Sequence, residues 1–446
     1  MLVLDLNDVE IILSRDGEAV YREPGFAFVD KDGAVFGHEA LSRSRLHPRQ
    51  SHNEFWQRLN GDPVSPPGKG VATQADLVYL QLLAMRDALG LGPPDADRPT
   101  LVVAAPGTVT SEQFAVLLGI ADEAGFEVRT IVDAAVAATC LLPLSGSCRL
   151  LDLTLHRGLV THLDVDPEHG TVRRTSVDEI PAIGLASLIE GWVDVVADRF
   201  VDGTRFDPLR IAETEQRVFN QVAAGVESGD AELSIEVVHD EVARRVTVAR
   251  HALGEKSRQR YELLARSIGD PATLVITHRM RRLPGLAGLL QDAGHELLPL
   301  APDAVLTGIA ESTEHVQSDG TPEDDRAGAR LVTSLPSRGS ESRGRISREP
   351  PTHLLCGPVA MPLADTTYGR DHPVCKGSPG FRVLRADRGF SVAPTDGADV
   401  VLNGSHIDFE HPAEAGDRIV AGGQEFQLIS VVHGTHAGRS GQQADG

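Results

Sequence analysis

Residues 101–132 read LVVAAPGTVTSEQFAVLLGIADEAGFEVRTIV and contain the pattern that decides the fold. The first six, Leu101 to Pro106, form a short apolar run of the kind found in buried strands. From Thr110 to Ala124 apolar residues recur on one face at helical spacing, and Gly125 is placed to end that helix. Glu127–Val132 then indicates a second strand. A strand, a helix and another strand in succession predict an α/β protein.

The same alternation extends across residues 1–311, which we predict to be one α/β region. A strand–turn–strand pattern near the N-terminus recurs at residues 150–164, and this recurrence predicts two lobes. Residues 182–270 are predicted to be mostly helical, with a strand-like interruption at Leu233–Val238. The remaining predicted elements are the strands Leu2–Leu6, Val9–Ser14, Ala27–Val29 and Thr273–Thr277 and a helix from about Gly285 to Ala293.

The composition changes after residue 311. Residues 312–350 hold few apolar groups and are rich in Ser, Gly, Asp, Glu and Arg, which predicts a disordered linker. Residues 351–434 return to short strands separated by Gly, Pro and Asp, typical of an all-β domain. Residues 435–446 are predicted to form a flexible tail.

The overall composition excludes several classes of protein. The net charge of −22 opposes binding to nucleic-acid phosphate and to anionic lipid. No apolar run approaches the ~18–20 residues of a membrane helix, and the N-terminus lacks the pattern of a signal peptide. The four cysteines are scattered and no His or Cys motif has metal-binding spacing, so we predict no metal site and a cytoplasmic location.

Several segments within residues 1–311 resemble, in order and spacing, the nucleotide-binding domain of the 70-kDa heat-shock chaperone (DnaK-type) family. This family belongs to the actin-like ATPase superfamily. The resemblance implies a two-lobed, ribonuclease H-like fold with a nucleotide cleft. The segments that carry it are Phe36–Ala40, Arg58–Gly61, Leu101–Pro106, Ala124–Val128, Ile131–Ala138, Leu151–Leu153, Thr273–Thr277, Arg282–Pro284 and Pro302–Ala310.

Both phosphate loops depart from the pattern of that family. In the first loop, after Asp5, Asn7 stands where the family has a glycine whose backbone approaches phosphate. In the second loop, after Asp152, three glycines are replaced by Thr154, Leu155 and His156. These side chains would occupy the space of the phosphates.

Other positions of the family's site also carry different chemistry. Its catalytic lysine falls on Gln57 and its glutamate on Ala134. Its aspartate falls on Ser187, just after Gly184, and the glycine pair beside adenosine falls on His278 and Arg279. Phosphoryl transfer depends on positioning and on electrostatic stabilisation of the transferred charge, so the sequence predicts no catalytic residue.

These departures predict a vestigial cleft with no bound cofactor. ATP with magnesium stays the alternative, because two carboxylates could still face a metal. Four basic residues of the cleft have two interpretations: they hold another anion, or they fill a collapsed cleft by packing and ion pairing. We favour the second interpretation. These residues are His156, Arg157, His278 and Arg279. The predicted cleft residues are Asp5, Asn7, Asp152, Thr154, His156, Gly184, His278 and Arg279.

The C-terminal region resembles a forkhead-associated (FHA) domain, a β-sandwich whose loops bind phosphothreonine. Gly416-Asp-Arg-Ile419 and Asn403-Gly404 carry most of this resemblance. It implies that Arg370 and Ser378 would contact the phosphate, since a guanidinium and a hydroxyl suit phosphate oxygens. The family's structural histidine, however, is Phe381 here, and the asparagine that would hold the peptide falls on Ala398.

The sequence as a whole favours a protein without enzymatic activity. We predict a pseudo-ATPase scaffold or adaptor that mediates protein–protein assembly within a larger complex. Two alternatives stay open: a divergent ATP-dependent chaperone or ATPase, and an adaptor that reads phosphothreonine through the FHA-like domain. The sequence does not define the partner or the oligomeric state.

Overall fold

The computed structural model contains two compact units, residues 1–341 and residues 342–446, which are described separately. None of the helices in the described part of the chain is long and apolar enough to cross a membrane. The structure describes residues 1–95, 97–166, 170–317, 329–337, 351–356, 359–368, 380–386, 389–395, 398–402, 405–407, 410–413 and 415–429.

The first half of the N-terminal unit covers residues 1–145. Its strands are β1 (Leu2–Asp5), β2 (Ile11–Arg15), β3 (Glu18–Glu23), β4 (Ala27–Asp30), β5 (Gly33–Phe36), β6 (Ser51–His52), β7 (Pro63–Gly68), β8 (Val71–Thr73), β9 (Thr100–Ala105) and β10 (Glu127–Asp133). Its helices are α1 (Gly37–Leu41), α2 (Phe55–Arg58), α3 (Gln74–Ala88), α4 (Ser111–Glu123) and α5 (Ala134–Thr139).

The second half begins at residue 146. Its strands are β11 (Gly146–Leu153), β12 (Gly158–Asp166), β13 (Thr171–Ile180), β14 (Glu232–His239), β15 (Val242–Ala249), β16 (Thr273–Ile276) and β17 (Glu296–Pro299). Its helices are α6 (Leu185–Thr204), α7 (Ala212–Ser228), α8 (Arg250–Ile268), α9 (His278–Arg281), α10 (Leu286–Asp292), α11 (Ala304–Glu311) and α12 (Thr313–Gln317).

The two halves build sheets with the same strand order. In the first sheet, β1, β2 and β3 form an antiparallel meander, and β9 and β10 add in parallel beside β1. In the second sheet, β11, β12 and β13 form the meander, and β16 and β17 add in parallel beside β11. The α/β class and the recurrence near residue 150 are therefore confirmed.

The strand–helix–strand unit at residues 100–133 forms for the reasons visible in its sequence. Strand β9 is buried along Leu101–Ala105, as expected for a parallel strand covered on both faces. Helix α4 begins with a capping box in which Thr110 and Gln113 satisfy each other's backbone N–H groups. Gly125 follows the helix with a φ of +77°, a backbone conformation that glycine adopts without strain.

The prediction that residues 182–270 are mostly helical is wrong at Val242–Ala249. This segment is β15, which pairs antiparallel with β14. The two strands join at Asp240 and Glu241, whose φ angles are +48° and +60°. Two consecutive residues with positive φ make the tight turn that joins hairpin strands, and neither residue is the glycine that would have marked it.

The linker prediction is wrong for part of residues 312–350. Residues 313–317 form α12, and residues 329–337, which we call the strap, contribute a strand to each sheet. Strand β18 (Arg330–Val332) pairs with β10, and β19 (Ser334–Pro336) pairs with β13. The strap was not predicted because the sequence on both sides of it is mainly polar. Its own Val332 and Leu335 are nevertheless buried. Residues 318–328 and 338–350 lie outside the described residues.

The C-terminal unit contains two antiparallel sheets around one apolar core, as the all-β prediction expected. One sheet has the order β21-β20-β29-β28-β25-β26 and the other β22-β23-β24-β27. The strands are β20 (His353–Cys356), β21 (Val359–Pro362), β22 (Thr366–Tyr368), β23 (Phe381–Ala386), β24 (Gly389–Pro394), β25 (Val400–Leu402), β26 (Ser405–His406), β27 (His411–Ala413), β28 (Arg418–Ala421) and β29 (Gln424–Ile429). The predicted tail, residues 435–446, lies outside the described residues.

Phe381 lies at the centre of this core. Its ring stacks on Tyr368 at 5.2 Å between centroids and meets Phe426 edge-on at 5.1 Å. The side chain is fully buried. The residue that stands where an FHA domain would have its structural histidine therefore serves here as an apolar core residue.

Candidate functional site

The predicted cleft residues come together where the two meanders of the N-terminal unit turn. Asp5 ends β1 and Asn7 lies in the turn that leads to β2. Asp152 lies near the end of β11, and Thr154 lies in the turn that leads to β12. Because both meanders turn at equivalent places, the duplicated fold brings two similar loops together.

Asp152 is the centre of the resulting polar cluster. Arg279 donates to both of its carboxylate oxygens, from Nε at 3.1 Å and from Nη2 at 3.0 Å. The Thr277 hydroxyl donates at 2.8 Å and the Asn7 amide at 3.2 Å. Both members of the ion pair are nearly enclosed, since only 7% of the Arg279 side chain and 14% of the Asp152 side chain are exposed. The central cluster is defined here as Asp5, Asn7, Asp152, Thr277 and Arg279.

The ion pair determines the protonation of Asp152. Burial opposes its charged form, but the Arg279 charge and the hydrogen bonds around the carboxylate outweigh burial and lower the pKa of Asp152. Arg279 in turn stays charged, because the adjacent carboxylates raise its pKa against the effect of burial. The pair therefore holds one fixed negative and one fixed positive charge.

Asp5 has the opposite behaviour. Burial raises the pKa of Asp5 to about 6, and the nearby charges of Asp152 and Glu10 add to this, while Arg279 and Arg22 oppose it. The cavity next to it, lined by all five residues of the central cluster, holds about 30 Å³. That is room for about one or two water molecules and not for a phosphate chain.

Four backbone donors at the second turn are already used within the protein. The N–H of Leu155 donates to Asp8 Oδ1 at 2.8 Å, which joins the two turns directly. The N–H of Thr154 donates to Arg157 O, and that of Arg157 to the Thr154 hydroxyl. The N–H of Leu153 donates to Asp152. A loop that cradles phosphate instead presents such groups to the ligand.

The N-terminus of α6 is covered in the same way. The N–H groups of Leu185 and Ala186 donate to the carbonyls of Thr154 and Leu155. Gly184 allows this approach, because a Cβ at that position would lie 2.5 Å from the His156 carbonyl carbon. The positive end of the helix is thus satisfied by a turn of the chain and not by an anion.

Two of the remaining basic residues of the predicted cleft have partners, and the third, His278, is neutral. His156 places Nε2 2.9 Å from Asn53 O, and Arg157 pairs with Glu179. His278 lies 4.0 Å from Glu10, and burial together with Arg279 lowers the pKa of His278 to about 4, so its ring is neutral at pH 7. Among the described residues, no group of three or more His, Cys, Asp or Glu side chains is arranged to hold a metal ion.

An apolar pocket of about 170 Å³ lies beside the central cluster. We did not predict this pocket from the sequence. The only signal for it was that Leu155 occupies a loop position where the resembled family has a glycine. Its wall is formed by Val9, Pro24, Phe26, Leu41, Leu153, Leu155, Leu185, Ala186, Ile189, Phe219, Ala223, Val226 and Leu283, with Glu10, His38, Glu227, His278, Arg279 and Arg282 at polar positions.

Two further residues of the site were also missed. Neither Thr277 nor Asn53 belongs to a recognisable sequence motif. The Thr277 hydroxyl contacts Asp152, and the Asn53 carbonyl contacts His156, and both partners are distant in sequence. In the C-terminal unit, the predicted phosphate contacts Arg370 and Ser378 lie outside the described residues, as do Asn403 and Gly404.

No protein-family model matches the chain, and no curated protein matches it significantly.

Proposed function

We propose that the chain is a DnaK-like scaffold or adaptor that mediates protein–protein assembly without hydrolysing ATP. Its N-terminal unit would have a two-lobed, actin-like architecture, and its C-terminal unit would be an FHA-like docking module. The observation that carries this proposal is the ion pair between Asp152 and Arg279, which fills the place that the resemblance assigns to nucleotide phosphate and metal.

The ion pair argues against a magnesium-dependent reaction. A metal ion at Asp152 would have to displace a guanidinium that makes two hydrogen bonds to the same carboxylate. Magnesium requires near-octahedral oxygen ligands and retains several waters, which a cavity of about 30 Å³ does not accommodate. Arg279 therefore supplies, within the chain, the positive charge that a metal would bring.

The backbone geometry argues against binding of phosphate. The N–H groups of Leu153, Thr154, Leu155 and Arg157 are all paired within the protein. A nucleotide would have to break these bonds before it could form its own, and the exchange would bring little net free energy.

The strap supports a static role for the N-terminal unit. A motor-like ATPase changes the relation between its lobes when nucleotide binds, and this requires a ligand with different affinity for the two states. Here one short segment is bonded to both sheets, with Thr333 alone between β18 and β19. A fold held in one arrangement suits a scaffold that presents constant surfaces.

The C-terminal unit supports the adaptor part of the proposal. Its two antiparallel sheets share one core, and Phe381 completes that core in place of a histidine. We expect phosphothreonine peptides to bind the full-length chain with the same affinity as the corresponding peptides without phosphate. A phosphate-dependent gain that disappears in Arg370→Ala would support the phosphothreonine-reading alternative instead.

The central test is thermal unfolding of the full-length chain with and without millimolar MgATP and MgADP. A ligand that binds only the folded state at 100 times its Kd stabilises it by about 2.7 kcal/mol, which shifts the midpoint by several degrees. We expect no shift and no phosphate release, with an active DnaK-type chaperone measured in parallel. A magnesium-dependent shift would show that the cleft binds nucleotide and would overturn our interpretation of the central cluster. Measurable hydrolysis would establish the ATPase alternative and reject the proposal.

A further inference from the structure

The apolar pocket beside the central cluster has the size of a binding site for a small molecule. Its volume of about 170 Å³ is close to that of engineered apolar cavities, about 150 Å³, which stay dry and bind benzene. Its wall combines residues of α6, α7 and α9 with residues of the turns around them, all within the N-terminal unit.

The wall of the pocket is mainly apolar. Most of the lining side chains are aliphatic or aromatic, and several belong to the main core of the second half of the unit. Ligand pockets in proteins are generally built in this way, with few polar groups. The apolar wall includes Phe26, Leu155, Leu185, Ile189, Phe219 and Val226.

The charged residues at the wall already have partners. Glu10 pairs with Arg22 at 2.9 Å, and Glu227 pairs with Arg282 at 3.3 Å. Arg279 is held by Asp152. The two carboxylates and two guanidiniums at the wall cancel in formal charge, so a charged ligand would lose its hydration without gaining an unpaired partner.

We propose that this pocket binds a small, uncharged and largely apolar molecule, about the size of a single substituted aromatic ring. The proposal rests on the function proposed above, because it requires that no nucleotide occupies the site. His278, which lines the pocket, is neutral at pH 7 and offers one hydrogen bond to a hydroxyl group.

Three probes that share one ring and differ in charge test the proposal on the full-length chain. They are 4-fluorophenol, 4-fluorobenzoate and 4-fluorobenzylamine, which at pH 7 are neutral, anionic and cationic. Binding is measured from the ¹⁹F line width of each probe during titration with protein. For so few heavy atoms we expect a Kd on the order of 0.1–1 mM for the neutral probe. We expect at least 10-fold weaker binding of the two ions.

A pair of substitutions on α7 locates the binding. Ala223→Leu places three extra carbon atoms in the pocket, whereas Ala224→Leu makes the same change at the adjacent exposed residue. We expect the first variant to lose at least 10-fold in affinity for 4-fluorophenol and the second to bind as the unchanged protein does. Thermal unfolding of both variants shows whether each is folded, and the comparison of three probes on the unchanged protein does not depend on either.

The outcomes separate this inference from the proposed function. Absence of neutral-probe binding, equal or tighter binding of either ion, or unchanged binding in a folded Ala223→Leu protein would each overturn the inference alone. Displacement of bound 4-fluorophenol by MgADP would overturn both, because a nucleotide would then occupy the pocket. Neutral-probe binding that MgADP leaves unchanged supports both.

Discussion

Arg279 binds Asp152 through two separate nitrogen atoms, Nε and Nη2, one to each oxygen of the carboxylate. A guanidinium matches a carboxylate in this two-point geometry, whereas a lysine would contact it as a single charge. The pair closes the place where the two meanders of the N-terminal unit turn. Its removal is therefore the most direct test of how the central cluster is held.

We expect Arg279→Met to lower the free energy of unfolding by about 3–5 kcal/mol at pH 7. The substitution leaves the Asp152 carboxylate buried without its cation, and an uncompensated buried charge is costly. Urea unfolding measures the change. Arg281→Met, an exposed arginine on the same short helix, is the matched control and should change stability by less than about 0.5 kcal/mol.

The double variant Arg279→Met/Asp152→Leu distinguishes the cost of the unpaired charge from lost packing. Replacing both members of a buried pair by apolar residues is often neutral or stabilising. We expect the double variant to recover most of the stability that Arg279→Met loses. A double variant as unstable as the single one would show that the pair is not the source of the effect.

Asp5→Asn should stabilise the protein at pH 8 and have a smaller effect near pH 4. The pKa of Asp5 is about 6 in the folded protein and near 4 when unfolded, so between these values the folded state binds more protons. The free energy of unfolding then falls as the pH rises from about 4 to 6. Denaturant unfolding at several pH values measures this slope, which Asp5→Asn should make shallower. Burial also raises the pKa values of Asp8 and Asp133, so these two residues contribute to the slope that remains.

The exposed Asp87 provides the control for this pH series. We expect Asp87→Asn to leave the pH dependence of stability as it is in the unchanged protein. A slope between pH 4 and 6 that is as steep in Asp5→Asn as in the unchanged protein would mean that Asp5 does not contribute to it.

Gly184→Ala should lower stability by about 1–3 kcal/mol. The added Cβ would lie within 2.5–2.7 Å of the backbone of His156 and would separate the second turn from the N-terminus of α6. Gly203→Ala, near the other end of the same helix, has open space around its Cβ and should be neutral or slightly stabilising. Equal effects of the two substitutions in thermal unfolding would contradict the close approach at Gly184.

Leu335→Asp should destabilise the protein by about 3 kcal/mol or more, because it places an unpaired charge at a buried position of β19. Leu335 is 1% exposed, whereas Leu331 in β18 is 50% exposed. We therefore expect Leu331→Asp to change stability by less than about 1 kcal/mol. Chemical denaturation of both variants tests whether the strap is part of the folded unit. If Leu335→Asp changes stability as little as Leu331→Asp does, residues 329–337 would be a linker and not part of the folded unit.

The long periodic elements of this protein could be predicted from the sequence because local pattern decides them. The strands at Leu2–Asp5 and Thr100–Ala105 and the helix at Ser111–Glu123 agree with prediction within about two residues. Strand β15 and the strap could not be predicted in this way. The first follows a turn without glycine, and the second is stabilised by two sheets whose strands lie far away in sequence.

The candidate site shows the same division. The resemblance pointed to Asp5, Asn7, Asp152 and Arg279 as neighbours, and the structure brings them together. Their hydrogen bonds could not be predicted, because each depends on ångström-scale distances between residues more than a hundred positions apart. The apolar pocket was missed for a related reason: a cavity is defined by what its walls leave empty, and no single residue signals it.

The strap also determines when this fold can be completed during synthesis. Arg330 pairs with Thr130 and Pro336 pairs with Thr171, so neither sheet is complete until the strap has been synthesised. Until then β10 and β13 are open edges, which pair readily with other chains. We therefore expect β10 and β13 to be exposed during the end of synthesis, and an expressed fragment that ends at residue 311 to keep both edges exposed and to aggregate more readily than the full-length chain.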